Sequence, residues 1–203
     1  KEYWCDTSPN TGLPRSNIWM LKETINSYFL RPGITYTQRT NSAFSPRVLP
    51  AKCIFATKGE TIFCNDPEDL MFIMGITQSR PFQALIEAFV ANGDSTQSEG
   101  AARSYISGLI KRLPFPQANQ NLKNIVSEIT KKIVEIKRQT YFMDETGQLF
   151  VNPFIFCQNF KEKTISEINC DIQVRLLQQD ATVLQLSYQL NKEAERLYGL
   201  MCD

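Results

Sequence analysis

Apolar residues recur with helical spacing through the second half of the chain. From about Ala118 to Lys137 an isoleucine-rich stripe is flanked by Lys and Glu, which predicts an amphipathic helix. A second helix is predicted from about Lys163 to Tyr198, and Gly199 is expected to end it. The residues between the two helices, 138–162, are predicted to be irregular. The second helix has apolar residues at intervals of three, four or seven positions: Ile165, Ile168, Ile172, Leu176, Val183, Leu186, Leu190 and Leu197.

This long apolar stripe has two interpretations. It can pack against the preceding helix of the same chain, or it can form a dimeric coiled coil with another chain. Packing inside the chain is the commoner outcome, so we expect a helical hairpin. The alternative is a docking surface on the long helix, which would make the chain a protein–protein interaction or scaffold domain.

The first half of the chain mixes short helical and strand-like patterns. Its predicted elements are a helix over 17–30, a strand over 34–38, an extended piece at 48–49, a hairpin with arms at 52–57 and 60–64, a helix capped at Asn65 or Asp66, a second helix from Pro81, and a last strand over 104–115. Together the patterns predict an α+β chain with a small, mostly antiparallel sheet in residues 1–117. Residues 118–203 are expected to brace that domain with the helical hairpin.

Composition excludes several classes of function. The chain has 203 residues, of which 42% are hydrophobic, so it can bury a core, yet no apolar run approaches the ~20 residues that span a bilayer. It contains no histidine, which excludes Ser-His-Asp and Cys-His catalysis, and no phosphate-binding glycine loop. Its six cysteines form no C-x-x-C pair, so no metal site is expected and a reducing, cytoplasmic compartment is favoured. Because the chain starts at Lys1, we expect a fragment of a longer protein or a processed product.

Basic residues are concentrated in one stretch that lacks acids. From Thr24 to Gly59 there is no Asp or Glu, whereas Arg31, Arg39, Arg47, Lys52 and Lys58 are present in a chain with a net charge of only +1. Hydroxyl and amide side chains surround these cations. Such a surface suits a polyanion, and Arg and Asn side chains suit base edges. The competing interpretation is a solvated loop between two strands.

A second stretch, from Gly100 to Ser127, also lacks acids. Arg103, Ser104, Lys111 and Arg112 are its candidates for a second contact strip, mainly to phosphate. An edge strand protected by its charges would have the same composition. In the first stretch, Arg39 and Asn41 are the candidates for base edges, because Arg matches guanine and Asn matches adenine. The remaining candidates there would contact base edges or phosphates: Thr40, Ser42, Ser45 and Arg47.

Several short phrases, taken in order, resemble one known family. They are Pro32-Gly33-Ile34-Thr35-Tyr36, Phe44-Ser45-Pro46-Arg47-Val48-Leu49-Pro50, Ile54-Phe55 with Ile62-Phe63, the helix from Leu70 to Phe82, Gly108 to Pro116, Asp144 to Pro153, and Leu190 to Leu200. Their succession is similar to the C-terminal target recognition domain of large adenine-specific DNA methyltransferases. These are the PglX-like proteins of BREX phage-defence systems and the type IIG restriction–modification enzymes.

The resemblance implies sequence-specific recognition of double-stranded DNA. It also implies an upstream methyltransferase domain that uses S-adenosylmethionine, together with partners such as other defence-system subunits or a phage inhibitor, and no membrane. The catalytic signature [D/N]-P-P-[Y/F] is absent, since Asn152-Pro153-Phe154 lacks its second proline. We therefore expect this fragment to hold no cofactor and not to methylate by itself, although the parent would be an enzyme, with or without a nuclease. One departure from the family lies at Thr77-Gln78-Ser79-Arg80, which replaces the usual Asn-Ser-Lys phrase.

Overall fold

The computed structural model describes residues 12, 22–56, 58–93, 103–144, 146–147, 150–153 and 163–200. The chain divides into two compact units, residues 1–117 and 118–203. The first unit contains α1 (Lys22–Tyr28), β1 (Gly33–Thr37), β2 (Arg39–Thr40), β3 (Arg47–Leu49), β4 (Gly59–Ile62), α2 (Pro67–Gln78), α3 (Arg80–Gly93), β5 (Arg103–Ser104) and α4 (Ser107–Ile110). The second unit contains α5 (Gln120–Met143) and α6 (Ile165–Leu197). The predicted α+β class is therefore confirmed.

A three-stranded antiparallel sheet is built around β1. It has the order β3-β1-β4, and Ile34 of β1 lies opposite Val48 on one side and Ile62 on the other. Ile34 is fully buried and forms a core cluster with Leu70 and Met74 of α2. One face of the sheet is thus covered by α2. The opposite side of α2 is also covered, because the buried Phe72 packs against the ring of Phe115, so apolar residues occur on nearly every side of this helix.

The start of α2 is the one predicted from the sequence. The side chain of Asp66 accepts a hydrogen bond from the Glu68 amide, and Pro67 occupies the first helical position. Acidic residues in the first turn, Glu68 and Asp69, also suit the positive end of the helix dipole. The polar signals at this boundary are local, which is why they could be recognised without the fold.

The predicted hairpin over 52–57 and 60–64 is wrong. The strand β4 pairs with β1, and the described residues of the first arm, 52–56, form no strand. Lys52 adopts a left-handed conformation with φ of 67°, and its amide donates to the carbonyl of Leu30, whose own amide donates to Cys53. These bonds hold the first arm against the end of α1, so the edge of β1 is left for β4. Thr57 lies outside the described residues.

The predicted last strand over 104–115 is also wrong beyond its first residue. Only Arg103 and Ser104 form a strand, and α4 follows over Ser107–Ile110. The carbonyl of Ile106 accepts hydrogen bonds from the amides of Leu109 and Ile110, so its backbone hydrogen bonds are local instead of extending a sheet.

In the predicted first helix, residues 17–21 lie outside the described part of the chain, and the described helix ends at Tyr28 rather than at Leu30.

The second unit is the predicted helical hairpin. Ile168, Leu190 and Ala194 of α6 are buried, and the two helices are joined by a Lys137–Asp180 ion pair of 3.1 Å. Thr164 begins α6 with a capping box to Glu167, and Gly199, at φ of 66°, follows its last turn as predicted.

The helix α5 is longer than predicted. It continues through Met143, whereas residues 138–143 were expected to be irregular. Arg138 stacks over the ring of Phe142 at 4.9 Å, and Thr140 contacts Gln179 of α6 at 3.2 Å. Contacts with α6 therefore continue past the isoleucine stripe and stabilise the extra turns. Across the described ranges, every helix is too short or too polar to span a lipid bilayer.

Replacing Gly33 with Ala should destabilise the sheet, because an added Cβ would lie 2.9 Å from the backbone oxygen of Ile62 and 3.0 Å from the Phe63 ring. We expect a loss of about 1–3 kcal/mol in the free energy of unfolding, measured by urea titration. Gly59→Ala is the matched control, since its Cβ would lie 3.4 Å from the Thr35 hydroxyl and 4.0 Å from the Ala56 carbonyl oxygen, without a close clash. Its expected change is below about 1 kcal/mol. Equal losses in the two variants would contradict the described register.

Candidate nucleic-acid interface

The two acid-free stretches meet in a short antiparallel ladder. Arg39 of β2 lies opposite Ser104 of β5, and Thr40 lies opposite Arg103. The amide of Tyr105 extends this ladder by donating to the carbonyl of Gln38 at 2.6 Å. Residues separated by more than sixty positions in the sequence are therefore neighbours in the fold. The composition identified both stretches, but it contained no signal for this pairing.

Between β2 and β3 the chain forms a polar loop, residues 41–46, with an inner and an outer side. Asn41, Ser42 and Ser45 are exposed on its outer side. Phe44 and Pro46 are buried on its inner side. This arrangement presents hydroxyl and amide groups to solvent while the backbone is held by two apolar residues. A fully solvated loop would not show such alternation.

The ring of Phe44 is the anchor of the polar loop. It is only 2% exposed and lies 5.0 Å from Tyr36, 5.3 Å from Tyr105 and 6.2 Å from Phe82, measured between ring centroids. These three rings come from β1, from the residue after β5 and from α3. Packing of one side chain therefore ties the loop to three separate elements.

Side-chain hydrogen bonds fix the backbone of the polar loop as well. The Gln83 amide donates to the carbonyls of Phe44, at 2.9 Å, and Thr77, at 2.8 Å, while Gln78 donates to the carbonyl of Pro46. On the other side, the Tyr105 hydroxyl donates to the carbonyl of Ser42 at 3.3 Å. Carbonyl groups that a loop would otherwise leave to solvent thus have protein partners.

Among the candidate cations, Arg39, Arg47, Lys111 and Arg112 are all exposed. Arg47 is held by a 2.7 Å hydrogen bond from its guanidinium to the Thr37 hydroxyl, at the end of β1. None of the four makes an ion pair within the described ranges. Lys111 and Arg112 follow the last turn of α4, a few residues beyond the ladder. These charges are therefore available to an anionic partner.

Carboxylates approach this region although they are missing from the two stretches. Glu87 of α3 lies 3.5 Å from Arg103, an exposed pair that contributes little to stability. The Tyr105 hydroxyl and, after it, Glu87 raise the pKa of Arg103, so the guanidinium stays charged.

Glu60 accepts a 3.3 Å hydrogen bond from Gln38 and one from the Tyr36 hydroxyl. Burial, followed by the charge of Glu60, raises the pKa of Tyr36, so its hydroxyl remains a donor.

Another cation of the first stretch is structural. The guanidinium of Arg31 donates to the carbonyls of Ser27 and Cys64 and lies 5.9 Å from the ring of Tyr28. These contacts hold α1 against the end of β4. Local charge along the sequence therefore overstates the number of cations that a partner would meet.

Sequence reasoning missed the residues that position the polar loop. These residues are Phe44, which acts through ring packing, and Gln78 and Gln83, which bond to chain segments more than thirty residues away. A local sequence pattern cannot identify such long-range contacts. The only available signal was Phe44 itself, a large apolar residue among small polar ones. Groups of His, Cys, Asp or Glu suited to a metal were not found among the described residues.

Comparison with known proteins adds no family to these observations. No protein-family model matches the chain, and no curated protein matches it either. The interpretation of the surface therefore rests on its residues and on their geometry.

Tyr105→Phe should loosen the polar loop, because it removes the hydroxyl that donates to Ser42 and leaves the ring packing in place. Loss of one such bond is about 1 kcal/mol, or roughly fivefold in an opening equilibrium. We expect amide hydrogen exchange over residues 41–45 to accelerate by that factor. Tyr36→Phe is the control, because its hydroxyl contacts Glu60 rather than the loop. Unchanged exchange in Tyr105→Phe would show that the hydroxyl does not hold the loop.

Proposed function

We propose that residues 1–117 recognise a specific sequence in double-stranded DNA on behalf of an adenine-specific DNA methyltransferase. The observation that carries the proposal is the β2–β5 ladder, which joins the two acid-free stretches beside an anchored polar loop. The order of family-like phrases along the chain supports the same function. In this proposal the 203-residue chain binds DNA, while an upstream domain of the same polypeptide binds S-adenosylmethionine and transfers the methyl group.

The cations supply the attraction to DNA. Arg39, Arg47, Lys111 and Arg112 are exposed, and the last three can release counterions from phosphates when they bind. Arg47 also has a defined orientation, since Thr37 accepts a bond from one of its nitrogens and leaves the remaining donors of the fork free. Arg103 forms an ion pair with Glu87, so we expect it to contribute less to phosphate contact than the other cations.

The polar loop supplies sequence discrimination. Asn41 is exposed directly after β2, where its amide can donate to and accept from an adenine edge in the major groove. Arg39 provides the matching pair for guanine, and Thr40, Ser42 and Ser45 offer single hydroxyl contacts. Because Phe44 and Gln83 fix the loop backbone, little conformational entropy is lost when these groups meet the bases.

The cellular setting follows from the same proposal. A methyltransferase of this kind acts in the cytoplasm, in a phage-defence or restriction–modification system, with other subunits of the system or a phage inhibitor as partners. Because the sequence lacks a [D/N]-P-P-[Y/F] motif, we place catalysis in the proposed upstream domain.

The double variant Arg39→Ala/Arg47→Ala should bind duplex DNA at least about tenfold more weakly than the unmodified chain. In a fluorescence anisotropy titration, the slope of log affinity against log salt should also fall by about one, for the lost phosphate contact of Arg47, because Arg39 is assigned to a base edge. The variant Lys132→Ala/Lys192→Ala is the control, because it removes the same charge from exposed positions of α5 and α6. Equal affinities for all three proteins, or equal losses in both variants, would reject the assigned surface.

Asn41→Ala tests discrimination separately from affinity. In a selection from a randomised duplex pool, the unmodified chain should enrich a motif containing adenine, and the variant should lose the preference at one position. Binding to a non-specific duplex should change less than about threefold, because Asn41 carries no charge. The variant Lys132→Ala/Lys192→Ala is again the control and should select the unmodified motif, because neither residue belongs to the polar loop. An identical motif from Asn41→Ala and the unmodified chain would exclude Asn41 from base contact.

A further inference from the structure

The long helix α6 has two apolar faces, and only one of them packs on α5. The second face carries Cys170, Val174, Leu177, Ala181, Leu184 and Tyr188, all of which are exposed. We call these six residues the outer seam. The exposed fractions of the larger side chains are 47% for Val174, 68% for Leu177, 73% for Leu184 and 67% for Tyr188. The outer seam is distinct from the predicted stripe, in which Ile168 and Leu190 are buried while Ile165, in the first turn, is exposed.

The spacing along the outer seam is that of a coiled coil. Its positions follow one another at intervals of four, three, four, three and four residues. This is the a/d repeat, with Val174, Ala181 and Tyr188 at a positions and Cys170, Leu177 and Leu184 at d positions. Leu177 and Leu184 at d with the β-branched Val174 at a match the preference of a parallel pair of two helices, and Ala181 and Tyr188 at the other a positions do not add to it.

We propose that the outer seam binds the outer seam of a second copy of this chain, in parallel register. The residues that flank it allow this register, because Gln173 meets Gln178 and Asp180 meets Gln185 of the partner copy without a like-charge pair. A fully overlapping antiparallel pair would instead bring the two copies of Asp180 close together. The side chains beside the outer seam therefore permit pairing with a second copy and disfavour the antiparallel direction.

The exposed area supports a weak dimer. Full burial removes roughly 100 Å² for a Val or Leu side chain and about 200 Å² for Tyr, so at their exposed fractions the four larger residues offer about 300 Å² of apolar surface per copy. Two copies would together remove about 600 Å² from water, which is less than the ~1,000 Å² of a stable interface. We therefore expect a weak dimer whose population depends on concentration.

Sedimentation equilibrium of the 203-residue chain tests the proposal directly. We expect the mass to rise from one chain to two over the micromolar range. Leu177→Glu/Leu184→Glu should raise the dissociation constant at least tenfold, and because both side chains are exposed, its circular dichroism spectrum should be unchanged. Thr182→Glu/Gln189→Glu is the matched control, with the same charge and spacing on exposed positions of α6 outside the seam. A chain that stays monomeric at every concentration, or equal effects of the two variants, would overturn the proposal in favour of a different protein partner.

Oxidative cross-linking tests the direction of the pair. In parallel register the d-position Cys170 faces Cys170 of the partner subunit, so mild copper-catalysed oxidation should yield a dimer joined through these two residues. Peptide mapping should identify this bond, and Cys170→Ser should remove it without changing the mass measured at sedimentation equilibrium. A dimer that forms no such bond under oxidation would overturn the parallel arrangement.

Discussion

Burial of the Phe44 ring is the interaction on which the described surface depends. Truncation of a buried aromatic residue typically costs about 3–5 kcal/mol, whereas a single hydrogen bond contributes about 1 kcal/mol. The ring contacts Tyr36, Tyr105 and Phe82, so it fixes the position of the polar loop relative to β1, the residue after β5 and α3 at once. The bonds from Gln78, Gln83 and Tyr105 then set the course of the loop backbone around this anchor. Because the buried side chains of the loop stabilise its conformation, the exposed side chains on its outer side can contact a binding partner.

The same anchor explains how a ladder of two residues can persist. A pair of such short strands is not stable by itself in water. Here the residue that follows β5, Tyr105, is fully buried and packs on Phe44, while its amide donates to Gln38 just before β2. Apolar packing therefore holds the ladder, and the ladder in turn brings Arg39 and Ser104 together. Charge, hydroxyl groups and a rigid backbone thus occur at one place on the first unit.

The sequence predicted best what depends on neighbouring residues. Caps and periodicity identified α2 and α6, because Asp66 and Gly199 act within one turn of their own helix. The predicted hairpin was wrong because strand-like composition does not say which strand another strand pairs with, and β4 pairs with β1. The cations of the candidate surface were found from composition alone. The residues that contact the loop and these cations were not found. Gln83 is near Phe44, and Glu87 is near Arg103, only in the folded chain.

The long helix α6 carries two periodic apolar patterns, and only the one that faces α5 was recognised in the sequence. The buried stripe was read from the sequence, whereas the outer seam became visible only when the structure showed which apolar residues remain exposed. The two units thus carry different surfaces, a polar cationic one in residues 1–117 and an apolar one on α6.

Hydrogen exchange of the whole chain, with and without an excess of duplex DNA, tests the central claim most directly. The account predicts that residues 38–47 and 103–112 become protected together, at the same DNA concentration. Protection confined to α5 and α6, or protection of one stretch without the other, would contradict it.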